Sequence, residues 1–119
     1  MKKLPKFLKT RQKNAELLST LLSKSSLTLP QQRKNEKVNW YLYTVTTPKR
    51  NILLKKLNEK GIGAASYYPI PVHKTPFYKS KIKLPVTDWS ASHVLSLPIH
   101  PKVTSKNVEF IAKTISEIL

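Results

Sequence analysis

Over the first quarter of the chain, Phe7, Leu8, Ala15, Leu18 and Leu22 keep to one side of a helical projection, with Leu17 and Leu21 beside them. The opposite positions are mostly Lys, Gln, Asn and Ser, so the pattern predicts an amphipathic helix over about residues 5–24. Ser25 to Lys37 is polar, holds Pro30 and ends in a charged run, which reads as an exposed connection. The character then changes. Val38 to Thr46 is dense in β-branched and aromatic residues, as a central strand would be, and strand alternation would set Tyr41 and Tyr43 on one side and Trp40 and Leu42 on the other.

Thr47-Pro48 is a helix start: Thr can cap free amides, and Pro is tolerated in the first turn. Ile52, Leu53 and Leu57 supply the buried side, and Gly61 a left-handed stop. Ile62 to Tyr67 reads as a second strand and Tyr68 to Leu84 as a long irregular loop. Asp88 to His93 reads as a helical turn, Val94 to Leu97 as a third strand, and Thr104 or Ser105 as the cap of a last helix with Val108, Ile111, Ile115 and Ile118 on one face. This order predicts an α+β two-layer sandwich: a small three-stranded sheet, antiparallel or mixed, with helices packed on one face. Residues 1–119 are expected to form a single domain, with a first helix over 1–25, an exposed connection over 26–37 and an α+β core over 38–119.

Charge adds to the picture. There are 22 Lys+Arg against 6 Asp+Glu, a formal +16, and residues 1–60 carry most of the excess. Such a balance suits an acidic protein surface or nucleic acid. Trp40, Tyr41 and Tyr43 beside lysines would make a base-stacking platform, so a basic nucleic-acid-binding module is the alternative reading, although aromatic strands more often fill cores. Without cysteine the chain has neither disulfides nor thiol chemistry, which fits a cytoplasmic protein. Lys6, Lys9, Arg11 and Lys13 interrupt any apolar run that a leader would need, and no stretch approaches a membrane span.

Candidate chemistry is sparse. His73, His93 and His100 stand 20 and 7 residues apart with no metal-ligand spacing. The acids are scattered without pairing, and the two glycines sit at a helix stop, which leaves no phosphate loop. The long loop is the informative segment, because ordered loops of this length are disproportionately functional. Within it, Tyr67-Tyr68-Pro69-Ile70-Pro71-Val72-His73 joins aromatic side chains to prolines that fix the backbone and ends in a histidine.

That heptapeptide, with Leu95-Ser96-Leu97-Pro98-Ile99-His100-Pro101, resembles the carboxy-terminal part of the DegT/DnrJ/StrS-type aminotransferases. Arg11, Asn14 and Ala15, the Trp40 to Val45 segment, Arg50 with Leu53, Leu57 and Gly61-Ile62, Phe77-Tyr78 and Leu84-Pro85-Val86 extend the likeness in order over about residues 7–119. The resemblance implies the small domain of a pyridoxal-phosphate-dependent enzyme that aminates nucleotide-linked keto sugars. Tyr68 and His73, and secondarily Tyr67, would then touch the substrate or order its cleft, and His100 would be structural. It places the Schiff-base lysine, the acid for the pyridinium nitrogen and the phosphate cup in a separate large domain, so no cofactor is expected on this chain alone. The expected partner is a large-domain subunit of a split enzyme, unless the chain is an inactive remnant; a homo-oligomer would be a second way to cover the exposed docking face.

Overall fold

A computed structural model describes residues 2–78 and 80–119. Helix α1 (Leu4–Leu22) buries Ala15, Leu18 and Leu22 together with Asn14. Strand β1 (Tyr43–Thr46) pairs antiparallel with β2 (Val94–Leu97), Tyr43 opposite Leu97 and Val45 opposite Leu95. These four side chains point into the core. On the other face the Thr44 and Ser96 hydroxyls bond each other at 2.9 Å. Helix α2 (Arg50–Glu59) follows β1, α3 (Pro85–His93) leads directly into β2, and α4 (Ser105–Ile118) closes the fold against α1 and α2.

Local chemistry accounts for the ends of these elements. At the end of α2, Gly61 takes φ 76°, and the Gly61 and Ile62 amides donate to the Asn58 and Leu57 carbonyls, the paired bonds of a Schellman stop. Ahead of α4, the Thr104 hydroxyl accepts from the Asn107 amide while the Asn107 side chain accepts from the Thr104 amide, a reciprocal capping box. Thr47 works one step earlier than expected: its hydroxyl accepts from Lys49 N–H in the turn ahead of α2, and the helix begins at Arg50.

The expected three-stranded sheet is two-stranded among the described residues. Ile62 to Tyr67 contributes one bridge, Ala65 to Ser96, and Thr28 makes one bridge to Thr46 on the opposite edge. Gly63 and the turn into the prolines leave too little extended chain for a ladder. The connection after α1 is exposed over residues 31–37, but Leu27 joins the core beside the Thr28 bridge.

The first expected strand is also shorter, for a clear reason. Trp40 has φ 50°, a left-handed conformation that breaks the alternation and turns its ring to the same side as Tyr43. The two rings stack with centroids 5.8 Å apart, and the Trp40 indole N–H donates to Gln12 Oε1 at 2.7 Å, contacts that offset the backbone cost. Tyr41 and Leu42 are exposed instead. The base-stacking platform is therefore not formed, because two of its three rings are buried.

Tyr43 is fully buried, and its hydroxyl meets Ser19 Oγ at 2.7 Å. Burial pushes its phenol above the ordinary value, with the Ser19 hydrogen bond pulling the other way. A raised folded pKa means that the neutral phenol contributes stability below the unfolded pKa of about 10, and that this contribution is lost as pH rises past it. Urea unfolding at rising pH is expected to show a shallower alkaline loss in Tyr43→Phe than in the unsubstituted chain. Parallel losses would contradict this assignment.

Candidate functional site

The residues singled out in the aromatic loop lie between the sheet edge and α3. The loop leaves the edge after the Ala65 bridge, where the Ser66 hydroxyl donates to the Val94 carbonyl at 3.1 Å. Tyr67 and Tyr68 follow as an edge-to-face pair, 54% and 76% exposed. The chain bends at Pro69 and Ile70, and an extended Pro71 leads into a single 3-10 turn, Val72–Lys74. Lys79 lies outside the described residues, and past it Ile82 and Leu84 are exposed up to the start of α3.

The three predicted residues do not share one environment. Both tyrosines present their rings outward, whereas the His73 side chain is only 10% exposed and sits against α3. His73 Nε2 lies 3.5 Å from Asp88 Oδ1, and Lys74 Nζ lies 2.8 Å from the same oxygen. Asp88 was not singled out from the sequence, where it is one of six scattered acids. The available signal was its position in the first turn of a helix opened by Pro85, as the only acid between Glu59 and Glu109.

The remaining histidines play other parts. His93 stacks on Trp89 with centroids 4.6 Å apart, and its Nδ1 lies 2.8 Å from the Trp89 carbonyl. The exposed His100 contributes its carbonyl, which accepts from Val103 N–H at 2.8 Å in the turn before α4. No group of three side chains able to hold a metal converges among the described residues.

Behind the loop, polar brackets fix the frame. The Arg11 guanidinium donates to the Trp40 and Tyr41 carbonyls at 3.0 and 2.8 Å and lies over the Tyr41 ring. Buried Asn14 donates to the Val103 carbonyl at 2.9 Å, tying α1 to the turn before α4. Arg50, buried as well, donates to the Ala91 and Ser92 carbonyls and holds the end of α3. A second surface opens at the first half of α1, where Leu4, Phe7 and Leu8 line grooves with Val38, Tyr41 and Pro101. Lys9, Arg11, Lys37 and Lys102 stand around them.

Fold and site thus define an α+β domain that presents an aromatic loop and an apolar, basic-rimmed face. The family profile of the DegT/DnrJ/EryC1/StrS aminotransferases matches residues 1–116, and the chain belongs to this family. A dTDP-3-amino-3,4,6-trideoxy-alpha-D-glucose transaminase of Streptomyces venezuelae is 37% identical over 91 residues, covering 73% of this chain and 24% of that protein. A UDP-2-acetamido-2-deoxy-3-oxo-D-glucuronate aminotransferase of Pseudomonas aeruginosa is 36% identical over 75 residues, covering 62% of this chain and 21% of that protein. Among solved structures, S. venezuelae DesV in complex with a ketimine intermediate superposes with a TM-score of 0.89 at 28% identity, over 97% of this chain and 32% of that one. The chain thus spans about a fifth to a third of the length of these proteins.

The family depends on pyridoxal phosphate. The side chains present do not fit that group by themselves. Asp88, the one acidic side chain that is not well exposed, is already engaged by Lys74 and His73, and both glycines follow α2 rather than open a helix as a phosphate cradle. No helix among the described residues is long and apolar enough to cross a membrane.

Proposed function

We propose that this chain supplies the small carboxy-terminal domain of a pyridoxal-phosphate-dependent nucleotide-sugar aminotransferase, acting together with a large domain that carries the cofactor. The family match over residues 1–116 carries this reading. The relatives' sugar nucleotides set the substrate class: a nucleotide-linked keto sugar that accepts an amino group. Tyr68, with Tyr67 behind it, lines the edge of the substrate cleft, where an exposed ring stacks on a base or sugar face and a phenol donates a hydrogen bond. His73 belongs to the same loop and orders it.

The docking face is the apolar stretch on the first half of α1. Leu4, Phe7 and Leu8 are each well exposed, although they continue the helix's apolar stripe. A stripe without a partner on one half of a helix is explained by a second body packed there. The lysines around it favour an acidic rim on that body and speed its association. In the absence of a large domain the same face is open to self-association, which the +16 charge opposes at low salt.

The test is a chimera in which residues 1–116 replace the matching segment of the S. venezuelae transaminase. The expected result is a cofactor-loaded enzyme that still aminates that enzyme's sugar nucleotide, with Tyr68→Ala raising KM about tenfold, the scale of one lost polar or stacking contact. A folded, loaded chimera without turnover would refute the reading.

A further inference from the structure

Among the described residues between Tyr67 and Lys83, every hydrogen bond donated by a main-chain amide closes within the loop itself. Lys74 N–H donates to the Pro71 carbonyl, Thr75 to Val72, Tyr78 to Thr75 and Ser80 to His73, and the Ile82 amide reaches only Ser80 Oγ. Apolar burial adds little, since Val72, Phe77, Tyr78 and Ile82 are all exposed. Such a segment has few ties to the body and belongs to the low-stability end of a fold. Among the described residues two ion pairs reach out of it, and both end on Asp88 Oδ1.

We propose that Asp88 is the positioning residue of the aromatic loop: it holds His73 and Lys74 against α3 and so fixes where Tyr67 and Tyr68 stand, and His73 serves as this anchor rather than as a substrate ligand. His73 Nε2 and Asp88 Oδ1 are each shut off from solvent and lack any well-formed hydrogen bond, yet they lie only 3.5 Å apart. Burying either alone would leave a polar atom uncompensated; burying them facing each other lets the imidazole and the carboxylate satisfy one another. Lys74 approaches the same oxygen to 2.8 Å from the solvent side. The His73 carbonyl meanwhile accepts from Ser80 N–H at 2.9 Å, so this residue joins both arms of the loop to α3.

The chemistry of Asp88 suits the task. It sits in the first turn of α3, where the helix dipole favours a carboxylate, and the other five acids are exposed and far along the chain. The charged groups facing His73 within ion-pair reach are Asp88 from α3 and, through the shared oxygen, its neighbour Lys74.

Hydrogen exchange on the full chain tests this, comparing the amides of Lys74, Thr75, Tyr78 and Ser80 with core amides such as Leu53 and Leu95. After correction for intrinsic rates, the loop amides of the unsubstituted chain are expected to be protected, though less than the core. Asp88→Ala should lower loop protection about tenfold, the scale of one charge-assisted bond, while leaving the core amides unchanged. Asp88→Glu should restore part of the lost protection. Equal loop protection in Asp88→Ala and the unsubstituted chain would overturn the proposal, as would an equal loss in loop and core. The bearing on substrate rests on the function proposed above, but the anchor does not: inactivity of the chimera would leave the exchange result standing, and the reverse also holds.

Discussion

Leu18→Ala is expected to cost about 2–5 kcal/mol, enough to leave a domain of this size largely unfolded near physiological temperature. Leu18 is 0% exposed at the centre of the buried face of α1, where that helix packs on α4. Truncation there removes apolar contacts and leaves a cavity, because neighbours fixed by the antiparallel pair cannot collapse into it. The contrast lies on the same helix. Phe7→Ala removes a larger side chain, but one that is 42% exposed, so its cost to the isolated chain should be small while binding to a large domain suffers. Urea midpoints of the two variants check the difference, and equal losses would mean that the first half of α1 is as tightly packed as the second.

Arg50→Met is expected to be nearly as damaging, at about 2–4 kcal/mol. The last four carbonyls of α3 all find donors: Ser90 accepts from Val94 N–H, Ala91 and Ser92 from the Arg50 guanidinium at 2.7 and 3.1 Å, and His93 from Thr47 N–H at 3.0 Å. One buried fork therefore completes the accounting that every helix end requires. Methionine fills a similar volume yet leaves two carbonyls without partners. Lysine keeps the charge but lacks the planar fork, so Arg50→Lys should recover only part of the loss. Urea unfolding of Met, Lys and unsubstituted chains gives the ranking, and a Lys variant as stable as Arg would reduce the role of Arg50 to its charge. Because α3 also carries Asp88, loosening its end should propagate to the aromatic loop.

Local signals were read correctly wherever the physics is local. The Gly61 stop, the Thr104 cap and the periodicity of α1 and α4 depend on residues within a few positions of one another, and the structure places them as the pattern predicts. The family was legible too, since its motifs spread in order along the chain. Strand extent was not. Trp40 leaves the strand because its ring gains more against Tyr43 and Gln12 than its backbone loses, a balance set partly by Gln12, 28 residues away in sequence. Ile62 to Tyr67, expected as a strand, likewise meets its neighbour at one bridge only.

The sequence by itself determined helices α1, α2 and α4, the Gly61 stop and the Thr104 cap, the basic balance and the identity of the loop, because propensity, capping and composition are properties of short stretches. Only the tertiary structure decided which apolar residues of α1 are core and which remain uncovered, and that the outward tyrosines and inward His73 of one heptapeptide have different environments. It alone brought Asp88 to His73 across 15 residues of chain, because a carboxylate's partner is fixed by where an element packs and not by its spacing along the sequence.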